Sequence, residues 1–483
     1  MKPNIVIFCT DHQRADFLSC AGHPMIKTPN LDKLAARGVR YENLYVQSTV
    51  CMPSRASILT GTYSCRHGVN DNGYNLPIEK RTIADVLSDN GYHTMAVGRT
   101  HLVCTQPRPE YPQSGFYGFQ QCSHAQVYCG NTDPDNEYLA WIRAEHPEYY
   151  DDIAFANEHC EHDMSGSHTD VPEELSLNSW VVDRSLDFIR EHEDKASDQP
   201  FMLWAGTWDP HSPYRAPEPW GSMYDPEEVP LPTQIEEEFQ AYPEVLKNLA
   251  VREWWRDKSV PIETVIKKNL AMYMGMVSHI DDQIGRLLDG LEEMGILDNT
   301  IFLLTSDHGD MLGEHWFEYK RLYFYDAALK VPGIMAGPGV PRGRVLSGLA
   351  ESVDLMPTLL DLVDIAIPPL VQGKSWKPVL DGADMVLHDD VYTDFQYHRN
   401  PCGTPEVEEK NEHVFSIFDG HYRIVYFKNR PYGQLFDFAN DPDNHINRWD
   451  DPGYTEVKRM MIEKLMNRIM GNLSVPDVRD SDW

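Results

Sequence analysis

The chain has 483 residues, of which 41% are apolar, so it is long enough to bury a large core and to form one large domain with a smaller one. Asp and Glu number 75 and Lys and Arg number 42, which gives a formal charge of −33. Nucleic acids and anionic membrane surfaces repel so acidic a protein, and we expect neither as a partner.

The N-terminal residues and the cysteines indicate the cellular compartment of the protein. The apolar run after Met-Lys-Pro-Asn is too short for a signal peptide and lacks a small-residue cleavage site. No run of about 18 apolar residues is present, so no spanning helix is expected. The 9 cysteines are scattered without CxxC pairs, which argues against a disulfide framework and against a zinc site. We therefore expect a cytoplasmic protein with mostly reduced thiols.

The first predicted element is a buried parallel strand over 4–9, where a short apolar and β-branched run is bounded by polar residues. It leads into Thr10-Asp11-His12-Gln13, and open α/β sheets place ligands beyond the C-terminal ends of such strands. Asp11 by itself is typical of a helix cap or a turn, and a metal ligand is the alternative. A short helix over 30–37 and an extended segment over 39–45 follow.

Residues 51–61, CMPSRASILTG, hold the central motif. Pro53 biases the residue before it away from helix, which places Cys51 at the end of an extended or turn segment. Residues 56–59 can then open a helix whose positive N-terminus faces Cys51, and Arg55 adds a fixed cation. These features suit a nucleophile that faces an oxyanion, and they suit a small buried thiol equally well.

Further strands and helices alternate along the chain, and three of the strands end in polar residues. Arg99 and His101 follow the first of these, His211 the second, and Asp307 with His308 the third. Each histidine, taken alone, is also typical of a structural or turn residue. In chain order we predict a helix over 82–91, a strand over 93–97, a helix over 176–190, a strand over 201–205, a long helix over 265–294, and strands over 300–305 and 331–335.

Two regions depart from this alternation. Residues 105–180 are polar and aromatic with little periodicity, and we interpret them, with the loop at 398–401, as candidate walls of a substrate pocket. Beyond about residue 375, short alternating strands at 391–397, 413–418, 422–427 and 434–438 precede an amphipathic helix over 455–473. We therefore predict an α/β domain over 1–375 and a C-terminal subdomain over 376–483.

The Cys-x-Pro-Ser-Arg pattern at Cys51, followed by Leu-Thr-Gly, resembles the signature of type I sulfatases. In that family the cysteine is oxidised to Cα-formylglycine by a dedicated generating enzyme, and the aldehyde hydrate is the nucleophile. Other family motifs occur in order, namely Gly-Arg-Thr-His at 98–101, Pro-His-Ser-Pro at 210–213, Asp-His-Gly at 307–309, and Gly-Glu-His at 313–315 with Lys320. The resemblance implies the alkaline-phosphatase-like α/β sandwich, in which helices flank a large, mostly parallel sheet.

The resemblance also implies one divalent cation, held by Asp11, Cys51 in its modified form, Asp307 and His308. Oxygen-rich ligands suggest Ca²⁺ first, whereas the histidine leaves Mn²⁺ or Mg²⁺ open. Many family members have Asp-Asp where this chain has Asp11-His12. His12 could therefore bind the metal, contact the substrate, or do neither.

The remaining site residues follow from the same motifs. Arg55, Arg99 and Lys320 are implied to bind the sulfate oxygens, and Arg99 replaces a lysine of the family. His211 would protonate the leaving alcohol, and His101 would take the proton of the second hydroxyl. Asn72 fits a substrate-side asparagine of the phosphonate monoester hydrolases, and it fits a turn asparagine equally well.

Three hypotheses of function remain open from the sequence. A sulfatase acting on a small anionic sulfate ester leads, and a homo-oligomer is compatible with it. A phosphonate monoester hydrolase or phosphodiesterase of the same superfamily is the alternative, favoured by Asp11-His12 and Asp307-His308, whereas Arg99 with His101 favours the sulfatase. The third is an inactive binding protein with an unmodified Cys51 and no metal.

Overall fold

The structure is a computed structural model that describes residues 2–103, 117–125, 136–154, 167–196, 198–251, 259–397 and 412–473. Much of the predicted insertion, at 104–116, 126–135 and 155–166, lies outside the described residues, as does the loop at 398–401. None of the described helices is long and apolar enough to cross a membrane.

Eight of the described strands form one sheet. Four of its central strands, β8, β1, β6 and β3, are parallel neighbours, and β9 runs antiparallel to β2 and β8. The order across the sheet is β10-β2-β9-β8-β1-β6-β3-β4. The strands among the described residues are β1 Asn4–Thr10, β2 Gly38–Tyr45, β3 His93–Gly98, β4 Gln121–His124, β5 Ser167–His168, β6 Phe201–Gly206, β7 Arg215–Ala216, β8 Thr300–Ser306, β9 Gly333–Ala336, β10 Arg344–Glu351, β11 Val391–Tyr397, β12 Glu412–Phe418, β13 Tyr422–Phe427 and β14 Gly433–Asp437.

Helices cover both faces of this sheet, because alternate side chains of each central strand point to opposite faces. The α-helices in the described part of the chain are α1 Pro29–Arg37, α2 Cys51–Thr60, α3 Ser64–His67, α4 Ile83–Asp89, α5 Glu137–Glu145, α6 Tyr150–Ile153, α7 Leu177–Ala196, α8 Glu236–Ala241, α9 Glu244–Lys247, α10 Ile262–Glu293, α11 Asp326–Leu329, α12 Leu355–Leu362, α13 Lys377–Leu380 and α14 Thr455–Leu473. Ile5 and Ile7 share a core with α2, α4 and α12, whereas Val6 and Phe8 share a second core with α1, α7 and α10. The predicted mostly parallel α/β sandwich is confirmed.

The strands β11 to β14 form a separate antiparallel sheet, as the alternating pattern predicted. Met461 and Leu465 of α14 pack with Ile417, Ile424 and Leu435 of this sheet in one buried cluster. The smaller antiparallel layer with its final helix is therefore confirmed, while the boundary at residue 375 stays a prediction.

One local prediction was wrong in a way that matters for the site. Helix α2 begins at Cys51 itself, not near residue 56, and Val50 before it is extended. Pro53 falls in the first turn of α2, where its missing N–H costs no intrahelical bond. Cys51 thus occupies the positive end of a ten-residue helix that terminates at Gly61, whose φ of 63° is left-handed.

Asp281 of the long helix α10 caps the N-terminus of another helix. Asp281 is buried, and its Oδ1 accepts a 2.7 Å hydrogen bond from the backbone N–H of Leu31. Its Oδ2 accepts a bond from the N–H of Asn30 at 3.1 Å. One carboxylate therefore closes the N-terminus of α1 from a different helix.

We expect Asp281→Ala to lower the free energy of unfolding by about 1–3 kcal/mol, because two N–H groups of α1 lose their acceptor. Asp282→Ala, at the half-buried neighbouring position, is the matched control and should change stability by less than about 0.5 kcal/mol. Urea unfolding measures both, and equal losses in the two variants would contradict the capping role.

Candidate active site

Four chain segments meet at the C-terminal edge of the parallel strands. The register pairs Thr10 of β1 with Ser306 of β8, and Gly206 of β6 with both Cys9 of β1 and Gly98 of β3. The residues that follow these strands therefore emerge side by side. This places Asp11, Arg99, His211 and Asp307 at one edge, as the motif positions predicted.

A close backbone approach fixes the beginning of the segment after β3. A Cβ atom added at Gly206 would lie 2.0 Å from the carbonyl oxygen of Arg99, so only glycine fits there. The same carbonyl accepts hydrogen bonds from Trp204 Nε1 at 3.0 Å and from Arg55 Nη1 at 2.9 Å. The position of Arg99 is thus set by three neighbours before its side chain makes any contact.

Helix α2 delivers Cys51 to this edge. The Sγ atom lies 2.8 Å from Lys320 Nζ, 3.3 Å from His308 Nε2 and 3.6 Å from Asp11 Oδ1, and the residue is 1% exposed. An atom at the Sγ position is therefore in contact with a cationic donor, an imidazole nitrogen and a carboxylate oxygen at once.

Arg55 holds the two strand-end carboxylates together. Its Nε donates to Asp307 Oδ2 at 2.9 Å, and its Nη2 donates to Asp11 Oδ2 at 3.0 Å and to the Thr10 carbonyl at 3.2 Å. Most donors of this fully buried guanidinium are thereby engaged within the protein. The Arg55 guanidinium thus lies directly behind the two carboxylates, and its binding of sulfate oxygens stays a prediction.

Arg99 is less fully engaged than Arg55. Its Nε lies 3.2 Å from Asp11 Oδ2, its Nη2 donates to His101 Nδ1 at 2.7 Å, and its guanidinium stacks 4.3 Å from the ring centre of Trp208. Its buried Nη1 has no hydrogen-bond partner within the described part of the chain. That group is the donor best suited to an anionic substrate oxygen.

The contact with Arg99 also fixes the tautomer of His101. Since a guanidinium can only donate, Nδ1 of His101 accepts and the ring proton resides on Nε2. Burial, with the charges of Arg99 and Arg55, holds the pKa of His101 well below its usual range. His101 is therefore neutral and presents an Nε2–H donor.

Lys320 and His211 form a second pair. Lys320 Nζ lies 3.2 Å from His211 Nε2, and His211 Nδ1 contacts the carbonyl of Ser212. Burial and the charge of Lys320 hold the pKa of His211 well below its usual range. Lys320 is carried by a loop rich in left-handed residues, among them Tyr319 with a φ of 65°. Backbone strain of this kind is concentrated at functional sites.

The donor set at this edge fits a divalent cation. Asp11, Cys51, Asp307 and His308 each offer one ligand atom, and all four atoms lie within 4.8 Å of one another. His308 directs its Nδ1 to the Gly309 carbonyl at 2.9 Å, which leaves Nε2 facing the other donors. A cation would neutralise the charge of the two fully buried carboxylates and would bind the imidazole lone pair beside them.

Burial and nearby charges together set the pKa values of Asp11 and Cys51, which are in contact in the site. Burial acts to raise the pKa of Asp11, but Arg99, Arg55 and Lys320 together hold that pKa well below its usual range. Burial, then the charge of Asp11, raises the pKa of the Cys51 thiol to about 11. An unmodified Cys51 thus remains a protonated thiol at neutral pH and is a weak nucleophile.

Two contacts of the site do not follow from the sequence. Asp310 accepts a hydrogen bond from the N–H of Leu312 at 3.1 Å, and it also lies 2.6 Å from His12 Nδ1. The stacking of Trp208 on Arg99 was missed too, although Trp208 stands in the same segment as His211. Neither contact follows from spacing, because each joins separate segments.

Asn72 lies beside the site but is exposed. Its side-chain oxygen accepts a 3.0 Å hydrogen bond from the backbone N–H of Met52, the residue after Cys51. In this arrangement Asn72 supports the first turn of α2. The structure therefore places it next to the nucleophile position without assigning it to the substrate.

Comparison with known proteins agrees with this geometry. Residues 3–365 match the family model described as Sulfatase, and residues 313–470 match the model of the C-terminal part of N-sulphoglucosamine sulphohydrolase. An arylsulfatase of Clostridium perfringens is 31% identical, over 98% of this chain and 96% of the relative. An N-acetylglucosamine-6-O-sulfatase of Bacteroides thetaiotaomicron is 26% identical, over 96% of this chain and 86% of the relative.

The fold is shared with a solved structure as well. The phosphonate monoester hydrolase of Agrobacterium radiobacter superposes with a TM-score of 0.81 at 24% identity, covering 98% of this chain and 96% of the other. The chain therefore belongs to the sulfatase family, a family of sulfuric ester hydrolases within the alkaline-phosphatase-like superfamily.

Proposed function

We propose that the protein hydrolyses a small sulfate monoester through a formylglycine hydrate at position 51, assisted by one divalent cation. The observation that carries this proposal is the surroundings of Cys51, whose Sγ contacts Lys320, His308 and Asp11 from the N-terminus of α2. An oxygen nucleophile at that point would face both the cation ligands and the donors for an anionic substrate. The relatives that act on aryl and sugar sulfates support such a substrate class.

The thiol itself is poorly suited to the reaction. A pKa of about 11 leaves it protonated at neutral pH, and the carboxylates of Asp11 and Asp307 oppose a thiolate. A geminal diol at the same position carries two hydroxyls. After the first has bonded to sulfur, the second can still lose its proton and release the sulfate. Formylglycine therefore explains why a buried cysteine stands among these groups.

Asp11, Asp307, His308 and the modified residue 51 would hold the cation. When bound, the cation would neutralise the charge of the substrate oxygens and lower the pKa of a hydroxyl at position 51. Arg55 keeps the two carboxylates in place from behind. Arg99 Nη1 and Lys320 Nζ would bind the remaining sulfate oxygens as preorganised donors.

The reaction is a displacement at sulfur followed by an elimination. One hydroxyl oxygen of the hydrate bonds to sulfur while the bond from sulfur to the alcohol oxygen breaks. The alcohol leaves with a proton that the Lys320–His211 pair supplies, since Lys320 already donates towards His211 Nε2. The pair regains a proton from the attacking hydroxyl, which would lie beside Lys320 Nζ at position 51. The second hydroxyl then loses its proton, the bond between carbon and the sulfate oxygen breaks, and sulfate leaves. Water finally restores the hydrate from the aldehyde.

His101 needs a change of partner to act as the base in the second step. In the structure its Nδ1 accepts from Arg99, and its Nε2 carries the proton. When Arg99 turns towards a sulfate oxygen, Nδ1 becomes free to accept. Substrate binding would thus switch His101 from a donor to a base, and the arginine in place of the family's lysine couples the two events.

The alternative function is phosphonate monoester or phosphodiester hydrolysis. The pair Asp307-His308 favours it, because His308 faces Cys51 where the sulfatase motif more often has an asparagine. The same scaffold without modification or metal would be a binding protein. Of the four experiments that follow, mass spectrometry of the Cys51 peptide tests the binding-protein hypothesis, and the comparison of rates on a sulfate and a phosphonate tests the alternative activity.

We expect Cys51→Ala to reduce sulfate ester hydrolysis by at least about a thousandfold with the fold retained, because the nucleophile is absent. Cys65→Ala, which removes an exposed thiol from α3, is the matched control and should keep full activity. The assay uses nitrophenyl sulfate and circular dichroism. Substantial residual turnover in Cys51→Ala would exclude the mechanism.

Mass spectrometry of the wild-type Cys51 peptide complements this assay. It should show the loss of one sulfur and two hydrogens and the gain of one oxygen. Because Cys51 is buried in the folded protein, the sample must come from a host that expresses the generating enzyme. An unmodified peptide from such a host would support the binding-protein hypothesis instead.

We expect Arg99→Lys to lower kcat/KM by about 10- to 100-fold, although the charge is kept. A lysine cannot contact Asp11 and His101 together while stacking on Trp208. Arg81→Lys, at an exposed arginine paired with Asp89, is the control and should leave the rate unchanged. Wild-type rates in Arg99→Lys would show that the planar guanidinium has no function here.

Sulfate preference is tested by steady-state rates on nitrophenyl sulfate and on a phenyl phosphonate monoester under identical conditions. We expect the larger kcat/KM for the sulfate, because Arg99 and Lys320 offer donors to three equivalent oxygens. A phosphonate turned over orders of magnitude faster would establish the alternative function.

A further inference from the structure

Trp208 carries an indole N–H that has no acceptor beside the candidate active site. The residue is 9% exposed, and its Nε1 makes no hydrogen bond to any residue that the structure describes. The buried indoles of Trp204 and Trp376 do donate, to the Arg99 carbonyl at 3.0 Å and to Asp354 Oδ2 at 3.1 Å. Because a buried tryptophan N–H usually has an acceptor, the environment of Trp208 calls for an explanation.

The backbone on both sides of Trp208 is tied to the end of strand β1. The N–H of Thr207 donates to the carbonyl of Cys9 at 3.0 Å, and the carbonyl of Asp209 accepts from the N–H of Asp11 at 3.2 Å. These two bonds fix the backbone of Trp208 at the same edge as the candidate cation ligands. A donor held in place before the ligand arrives is preorganised for binding.

The indole ring of Trp208 contacts two side chains of the proposed mechanism. The Arg99 guanidinium lies 4.3 Å from the centre of the ring, and the ring centres of Trp208 and His211 are also 4.3 Å apart. In the proposed function Arg99 binds sulfate oxygens, and His211 lies at the leaving alcohol. Trp208 would therefore border a sulfate ester bound between them.

Arg99 and Trp208 each hold a buried donor without an acceptor. Arg99 Nη1, like Trp208 Nε1, is buried and makes no hydrogen bond within the described residues. Since unpaired buried donors are costly, one ligand that offers acceptors to both groups would stabilise this pair. Two stacked groups 4.3 Å apart can each donate to a different oxygen of one tetrahedral anion. We infer that Trp208 Nε1 donates a hydrogen bond to an oxygen of the bound sulfate, an inference that rests on the sulfate site of the proposed function.

Two other functions for Trp208 fit less well. Packing against Arg99 alone does not require the N–H, because a phenylalanine ring would also stack on a guanidinium. A bond to the alcohol part of the ester is the second alternative, but the stacked partner of the indole is Arg99, the residue proposed to bind the sulfate oxygens. An indole N–H is uncharged and can only donate, so it adds a contact to the anion without burying another cation.

Nuclear magnetic resonance of the full-length protein with ¹⁵N-labelled tryptophan observes this N–H directly. The protein is produced with the formylglycine-generating enzyme and loaded with diamagnetic Mg²⁺. The chain has 11 tryptophans, and the indole peak that is missing from Trp208→Phe belongs to Trp208. We expect this peak to move downfield when inorganic sulfate is added, because the proton enters a hydrogen bond to an anion. The peak of Trp141, a half-buried residue of α5 assigned with Trp141→Phe, should stay in place.

Kinetics separate the N–H of Trp208 from its ring. Trp208→Phe should raise the KM for nitrophenyl sulfate and the inhibition constant of inorganic sulfate by about 10-fold each. Its kcat should change by less than about threefold, because the phenyl ring still stacks on Arg99 and the lost bond is made equally in the ground state and the transition state. Trp208→Leu removes the ring as well and should also lower kcat. Trp141→Phe is the control and should match the wild type.

The wild-type spectrum is decisive even where a variant fails to fold. If no indole peak moves at a sulfate concentration that inhibits turnover, the inference about Trp208 is overturned and the proposed sulfatase remains. An unchanged inhibition constant in folded Trp208→Phe would overturn it as well. A Trp208 peak that moves with nitrophenyl sulfate in Cys51→Ala, but not with inorganic sulfate, would assign the N–H to the alcohol instead. A wild type that neither binds nor hydrolyses sulfate would contradict the proposed function itself, and the inference would fail with it.

Discussion

The burial of Asp11 and Asp307 side by side is the constraint on which the site depends. Adjacent parallel strands bring the two residues to one edge, and both carboxylates are fully buried. Two buried negative charges are tolerated only when opposite charges neutralise them. Arg55 does so on one side, through bonds of 2.9 and 3.0 Å. The opposite side offers Asp11, Asp307 and the ring nitrogens to a cation.

Separate parts of the chain contribute further side chains to this edge of the sheet. Helix α2 brings Cys51 with the positive end of its dipole, and the loop before α11 brings Lys320 in a strained backbone. Each of these side chains is held in position by its own neighbours, so none can move independently of its surroundings. The sheet thus acts as a rigid base, while the strongly negative surface leaves local donors such as Arg99 to attract an anionic substrate.

Much of this arrangement could be predicted from the sequence, because apolar runs that end in polar residues locate both the strands and the edge where ligands bind. The motif at Cys51 added the chemistry. What escaped prediction depends on contacts between distant segments, such as Asp310 with His12. The start of α2 was also misjudged, because the bias of Pro53 against a preceding helical residue was outweighed by its own fit to a first turn.

We propose that a cation and a modified residue 51 share the edge that Asp11 and Asp307 form. An anomalous difference map from crystals of the Mn²⁺-loaded protein, produced with the formylglycine-generating enzyme, tests it most directly. We expect one anomalous peak in contact with Asp11, Asp307 and His308, and a side chain at position 51 that carries oxygen in place of sulfur. A map with no peak at this edge, or with an intact thiol at Cys51, would contradict it.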